Sequence, residues 1–95
     1  MYKIRTKHDI TVCTPEDINL MTPYVLLEQE DWYEEEVSFA KRLIQPGMNI
    51  LDIGACFGVY ALPMAKWTGL KGRVFAFEPG STAREHLQES RKENN

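Results

Sequence analysis

The chain has 95 residues, a formal net charge of −3, 43% hydrophobic and 26% charged residues. These proportions are ordinary for a globular domain, and the acidic balance excludes a chain-wide basic field that would draw it to nucleic acid. No apolar run approaches the roughly 20 residues of a membrane-spanning helix, so no membrane partner is expected.

The first eleven residues are polar and charged, without the apolar centre of a signal peptide. Cys13 and Cys56 lack metal-type spacing and read as free thiols of a reducing compartment. A cytoplasmic location without a bound metal is therefore expected. The charge is uneven. Residues 1–47 carry nine acids against five bases, and residues 48–95 carry five against six.

From Tyr2 to Val12, Ile4, Thr6, Ile10 and Val12 alternate with Lys3, Arg5, Lys7 and Thr11. A period of two predicts one strand, or a loose hairpin broken near His8-Asp9. Thr14-Pro15-Glu16-Asp17 looks like a helix start, which Thr22-Pro23 soon interrupts. A helix is expected from Glu30 or Asp31 to about Ile44, with Tyr33, Val37, Ala40 and Ile44 as its apolar stripe. Glu34, Glu35 and Glu36 then fall near its positive end, and Lys41 and Arg42 near its negative end. Pro46-Gly47 stops it.

Met48 to Ile53 is a short apolar run with little alternation, which suits a strand covered on both faces. A helix is expected from Phe57 to about Trp67, bent at Pro63. Thr68 to Gly72 is a loop, and Arg73 to Phe77 a second strand, ended by Glu78-Pro79-Gly80. Thr82 and Glu85 have the spacing of a capping box opening a last helix to about Glu93. Strand, helix, strand, helix predicts an α/β fold: a partial Rossmann-like parallel sheet, preceded by an N-terminal strand or hairpin and a helix. Residues 1–29 are read as the lead-in and 30–95 as the first part of a cofactor-binding domain.

A parallel strand feeding a helix through a glycine turn makes a ligand site, because bare backbone and free N–H groups face the ligand. Both strand ends here carry an acid, Asp52 and Glu78. A phosphate-binding loop requires Gly-Lys-Ser/Thr, and Val59-Tyr60 follow Gly58 instead. A dinucleotide fingerprint from Gly54 requires glycine at 56 and glycine or alanine at 59, where Cys and Val stand. An adenosine site without pyrophosphate requires an acid, a glycine turn and a second acid for the ribose. Asp52, Gly54, Gly58 and Glu78 supply them, with Glu78 placed 20 residues after Gly58. Cys56 reads as a packed small residue, since neither His8 nor His86 lies near it in sequence.

The runs Leu51-Asp52-Ile53-Gly54-Ala55-Cys56-Phe57-Gly58-Val59-Tyr60 and Gly72-Arg73-Val74-Phe75-Ala76-Phe77-Glu78-Pro79 resemble the class I S-adenosylmethionine-dependent methyltransferases, and among them the FkbM family most. The resemblance covers about residues 30–95. It implies S-adenosylmethionine as cofactor. Gly54, Ala55 and Gly58 would pack against its methionine part, with Asp52 orienting that turn and helping to hold the ammonium. Glu78 would accept from both ribose hydroxyls, and Pro79 would flank the adenine. The family usually carries Asn where this chain has Cys56.

The resemblance also implies methyl transfer to a small-molecule acceptor, a hydroxyl oxygen of a sugar or similar compound. Yet only two of the family's seven strands are written here, and neither the acceptor pocket nor the adenine-binding acid has a counterpart. A front portion of such an enzyme is thus expected, with catalytic residues for the acceptor unassigned. Two alternatives stand beside it: a non-catalytic module that completes its sheet by self-association through an open edge, and an NAD-type oxidoreductase half-domain, disfavoured by the missing glycine.

Overall fold

The computed structural model describes residues 1–95. β1 (Tyr2–Arg5) and β2 (Thr11–Thr14) pair antiparallel, with Ile4 opposite Val12. The N-terminal stretch is thus a hairpin. Asp9 takes φ 61° at its tip, a conformation that a short polar side chain tolerates better than most.

The next two helices depart from expectation. Thr14 caps no helix; it ends β2 and is fully buried. α1 (Met21–Gln29) starts seven residues later, and Pro23 is its third residue. Proline is tolerated there because an N–H in the first turn has no intrahelical partner to lose. Glu30 then closes α1 at φ 58°, and the Asp31 carboxylate accepts from the Trp32 N–H at 2.8 Å. The chain therefore cannot enter a helix at Glu30 or Asp31, and α2 is only Glu36–Leu43. Tyr33 falls outside it and is exposed, while Val37 is the buried residue of the expected stripe.

β3 (Asn49–Ile53) and β4 (Arg73–Phe77) are parallel, in register from Asn49 opposite Arg73 to Ile53 opposite Phe77. α3 (Ala61–Thr68) connects them. It starts four residues later than expected, because Cys56 at φ 52° and Gly58 at φ 92° keep the chain in a tight turn. Pro63 is the third residue of α3, so it neither removes a helical bond nor bends the helix. α4 (Ser81–Asn94) begins after Gly80. Thr82 lies inside it with no capping bond, so the Thr82–Glu85 box is not formed.

β3 was expected to be covered on both faces, and it is not. Leu51 and Ile53, with partners Phe75 and Phe77, form an open apolar face on which Leu51 is 65% and Ile53 81% exposed. Only the opposite face meets α3. The main core lies elsewhere. Ile4, Ile10, Val12 and Leu26, from the hairpin and α1, pack with Phe57 and Leu62 from the turn and α3.

α4 locks the hairpin in place. Ser90 Oγ accepts from the Cys13 N–H at 2.7 Å. Asn94, one helical turn on, accepts from the Thr11 N–H at 2.8 Å and donates to the Thr11 carbonyl at 2.6 Å. These side chains occupy the outer edge of β2 as a neighbouring strand would, leaving no free edge there. No helix is long and apolar enough to cross a membrane.

Candidate functional site

The carboxyl ends of β3 and β4 bring together the residues singled out from the sequence. Gly54 follows β3 at φ 80°, and its amide and that of Ala55 donate to the Phe77 carbonyl at 2.8 and 3.0 Å. Both interactions continue the parallel ladder one step past the strands and fix the turn against the end of β4. A Cβ on Gly54 would meet nothing within 4 Å, so that position opens to solvent and lets a ligand approach the backbone.

Gly58 has a different task. At φ 92°, a Cβ there would stand 2.6 Å from Leu87 Cδ1 and 3.0 Å from Leu62. It is the place where the turn passes under α4. Ala55 is buried beside it, and its carbonyl accepts from the Gly58 N–H at 2.9 Å.

Glu78 staples the two strand ends. Its Oε1 accepts from the Cys56 N–H and its Oε2 from the Gly80 N–H, each at 2.8 Å. An ionised carboxylate has about four acceptor positions, so two remain for a ligand hydroxyl pair. Sequence reasoning gave Glu78 the ribose and a place in the Glu78-Pro79-Gly80 turn. Its bond to the turn after β3 carries no sequence signal, because the Cys56 amide is 22 residues away. Pro79 is exposed, and Arg84 donates to the Pro79 carbonyl at 3.1 Å and to the Glu78 carbonyl at 3.3 Å. Arg84 was also not foreseen, since its partners are backbone oxygens.

Asp52 is half-buried on the covered face of the sheet, and its Oδ2 is buried without any hydrogen-bond partner. Burial pushes its carboxyl above the usual range, partly offset by the backbone N–H of Ala61 at the start of α3. An orphaned carboxylate oxygen wants a donor, above all a cationic one. Cys56 is exposed, but burial of its sulfur and the neighbouring Glu78 charge raise its thiol, so the nucleophilic thiolate is scarce at neutral pH. Its φ of 52° lies in the left-handed region, which Asn adopts at lower cost than Cys.

These strand ends form an open shelf. None of the four principal cavities is lined by Asp52, Gly54 or Glu78, and the largest, about 530 Å³, lies between the hairpin, α3 and the end of α4. No group of three or more His, Cys, Asp or Glu side chains gathers to hold a metal ion.

Comparison with known proteins adds a partial likeness. Over 51 residues the chain is 37% identical to a ribosomal RNA large subunit methyltransferase E of Buchnera aphidicola subsp. Schizaphis graminum; the match covers 53% of this chain and 25% of that protein. Over 61 residues it is 34% identical to the protein of the same name from Pseudomonas fluorescens (strain Pf0-1), covering 57% and 29% respectively. The chain thus spans between a quarter and a third of the length of these curated relatives. No family model and no solved structure matches it. The matched segment is methyltransferase-like, and the partial Rossmann-like unit agrees with it.

The residues present fit S-adenosylmethionine. Gly54 has open backbone, Glu78 keeps acceptor positions that would suit a diol, and the unpaired Asp52 oxygen, which is buried, is the acceptor an ammonium would need.

Proposed function

We propose that this chain is the S-adenosylmethionine-binding part of a class I methyltransferase. The observation that carries the reading is the pairing of Asp52, with its orphaned buried oxygen, and Glu78, at adjacent parallel strand ends across a left-handed glycine turn. The bound cofactor supplies a methyl group on a positively charged sulfur. Asp52 holds the ammonium of its amino-acid part, and Gly54 and Ala55 line that end. Gly58 keeps the turn close under α4, and Glu78 accepts the ribose hydroxyls. Pro79 borders the base. The chain's own contribution is then orientation, because methyl displacement requires the acceptor oxygen in line behind the methyl carbon.

Within that class we assign the FkbM subtype, with O-methyl transfer to a small-molecule or sugar hydroxyl. The support is the Asp-Ile-Gly-Ala turn and the Phe77-Glu78-Pro79 strand end, together with the net charge of −3. A second reading, methylation of RNA, is favoured by the names of the partial relatives. The charge opposes it, since RNA binding draws on phosphate neutralisation by Lys and Arg. The two free cysteines fit a cytoplasmic setting. The open face of Leu51, Ile53, Phe75 and Phe77 keeps a third reading in play, that of a non-catalytic module completed by association.

Calorimetric titration of the chain with S-adenosylhomocysteine and with NAD tests the proposal. Binding of the first alone, weakened about tenfold or more by Asp52→Asn, is expected. Silence with both ligands, together with a dimer in sedimentation, would replace it by the association reading.

A further inference from the structure

The backbone around Glu78 is held on one side by the sheet. The Phe77 carbonyl, just before it, accepts from the amides of Gly54 and Ala55 at 2.8 and 3.0 Å. On the other side the ladder has ended and α4 has not begun, so the Glu78 and Pro79 carbonyls meet no backbone N–H. One side chain serves both. Arg84 Nη1 donates to the Pro79 carbonyl at 3.1 Å and to the Glu78 carbonyl at 3.3 Å. Arg84 is the fourth residue of α4, and its guanidinium folds back over the start of its own helix. No acid competes for it, because none of the ion pairs in the chain includes Arg84. The anchor itself is fixed. Leu87, three residues on, lies against the Gly58 turn, and Ser90 and Asn94 bind β2.

We infer that Arg84 is a positioning residue for the ribose end of the site: by bridging the Glu78 and Pro79 carbonyls it sets the backbone from which the Glu78 carboxylate projects. The inference rests on the cofactor reading above. The geometry makes the role specific. Arg84 bonds to main-chain oxygens and not to the carboxylate, so it acts on a ligand only through the residue it holds. The carboxylate is tied to the Cys56 and Gly80 amides, and a shift of its backbone strains both bonds and turns the remaining acceptor positions away from a diol. Asp52, at the end of β3, shares none of these bonds. Loss of Arg84 therefore weakens the hold on the ribose hydroxyls and leaves the amino-acid end alone.

Calorimetric titration of the 95-residue chain with two ligands tests this. S-adenosylhomocysteine carries the ribose diol, and its 2′,3′-dideoxy counterpart lacks both hydroxyls and is otherwise the same. Arg84→Ala is expected to weaken the first by about fivefold and the second by less than about twofold. Arg84→Lys keeps a cationic donor on a long stem and is expected to bring the first back to within about twofold. Arg84→Met keeps the apolar stem without a donor; it is expected to repeat the alanine pattern, and it decides the matter if the alanine variant does not fold. A merely structural residue would weaken both ligands together. Equal losses, or unchanged S-adenosylhomocysteine affinity in Arg84→Ala and Arg84→Met, would overturn the assignment while leaving the cofactor site intact. Failure of the unaltered chain to bind S-adenosylhomocysteine would overturn the cofactor reading, and this inference with it.

Discussion

Removing the Glu78 carboxylate should destabilise the chain even with no ligand present. Its two oxygens accept from the amides of Cys56 and Gly80, each at 2.8 Å, and hold the turn after β3 to the turn after β4. A hydrogen bond to a charged group contributes about 1.5–3 kcal/mol when well shielded. Glu78 is only partly buried, which places each bond near or below the lower end of that range. Glu78→Ala is therefore expected to cost about 2–3 kcal/mol in all. For a domain of this size, 1 kcal/mol moves Tm by about 4–8 °C, so a drop on the order of 10–20 °C follows. Glu78→Gln keeps one acceptor but turns an NH2 group toward the second amide, and about half the loss is expected. Thermal unfolding followed by circular dichroism, without cofactor, measures both. An alanine variant melting within about 2 °C of the unaltered chain would refute the staple. Glu78 would then be free to serve a ligand alone.

Ser90→Ala removes the partner of the buried Cys13 N–H and should cost about 1–3 kcal/mol in urea unfolding, since a buried donor is left unsatisfied. Cys56→Asn puts a residue suited to the left-handed region at φ 52° and should raise stability by about 0.5–1 kcal/mol, read as a higher urea midpoint at constant slope. Asp52 gives a pH signature. Its carboxyl is raised by burial, so the folded chain holds that proton more tightly than the unfolded chain does. This contribution is neutral below the ordinary carboxylate pKa and becomes destabilising as pH rises through the raised folded value. Asp52→Asn should therefore stabilise the ligand-free chain at pH 7 relative to pH 3, compared with the unaltered chain at the same two pH values. An identical pH dependence of stability in both proteins would contradict the buried-carboxylate assignment.

Much of the second half was legible because its signals are local. The span Arg73–Phe77 follows from an apolar run between Gly72 and Glu78-Pro79, and the parallel pairing follows from strand–helix–strand order. That Asp52, Gly54 and Glu78 lie near one another was legible because parallel topology places strand ends side by side. The helix starts were less legible. Pro23 and Pro63 each stand third in a helix, where a ring is harmless, so each marked a beginning and was read as a break or bend. Left-handed residues at Glu30 and Cys56 delayed α2 and α3, and neither residue type announces that conformation.

By itself, the sequence determined the order of elements, the two acids at the strand ends and the glycines between them. These depend on local propensity and on a turn that only glycine forms cheaply at Gly54 and Gly58. Tertiary structure alone decided which groups meet. It separated Gly54, open to a ligand, from Gly58, pressed against Leu87. It gave Glu78 the distant amide of Cys56, left one Asp52 oxygen without a partner and set Ser90 and Asn94 along the edge of β2. It also left Leu51, Ile53, Phe75 and Phe77 uncovered. An apolar run records that a strand seeks cover, but whether cover exists depends on what packs across the sheet.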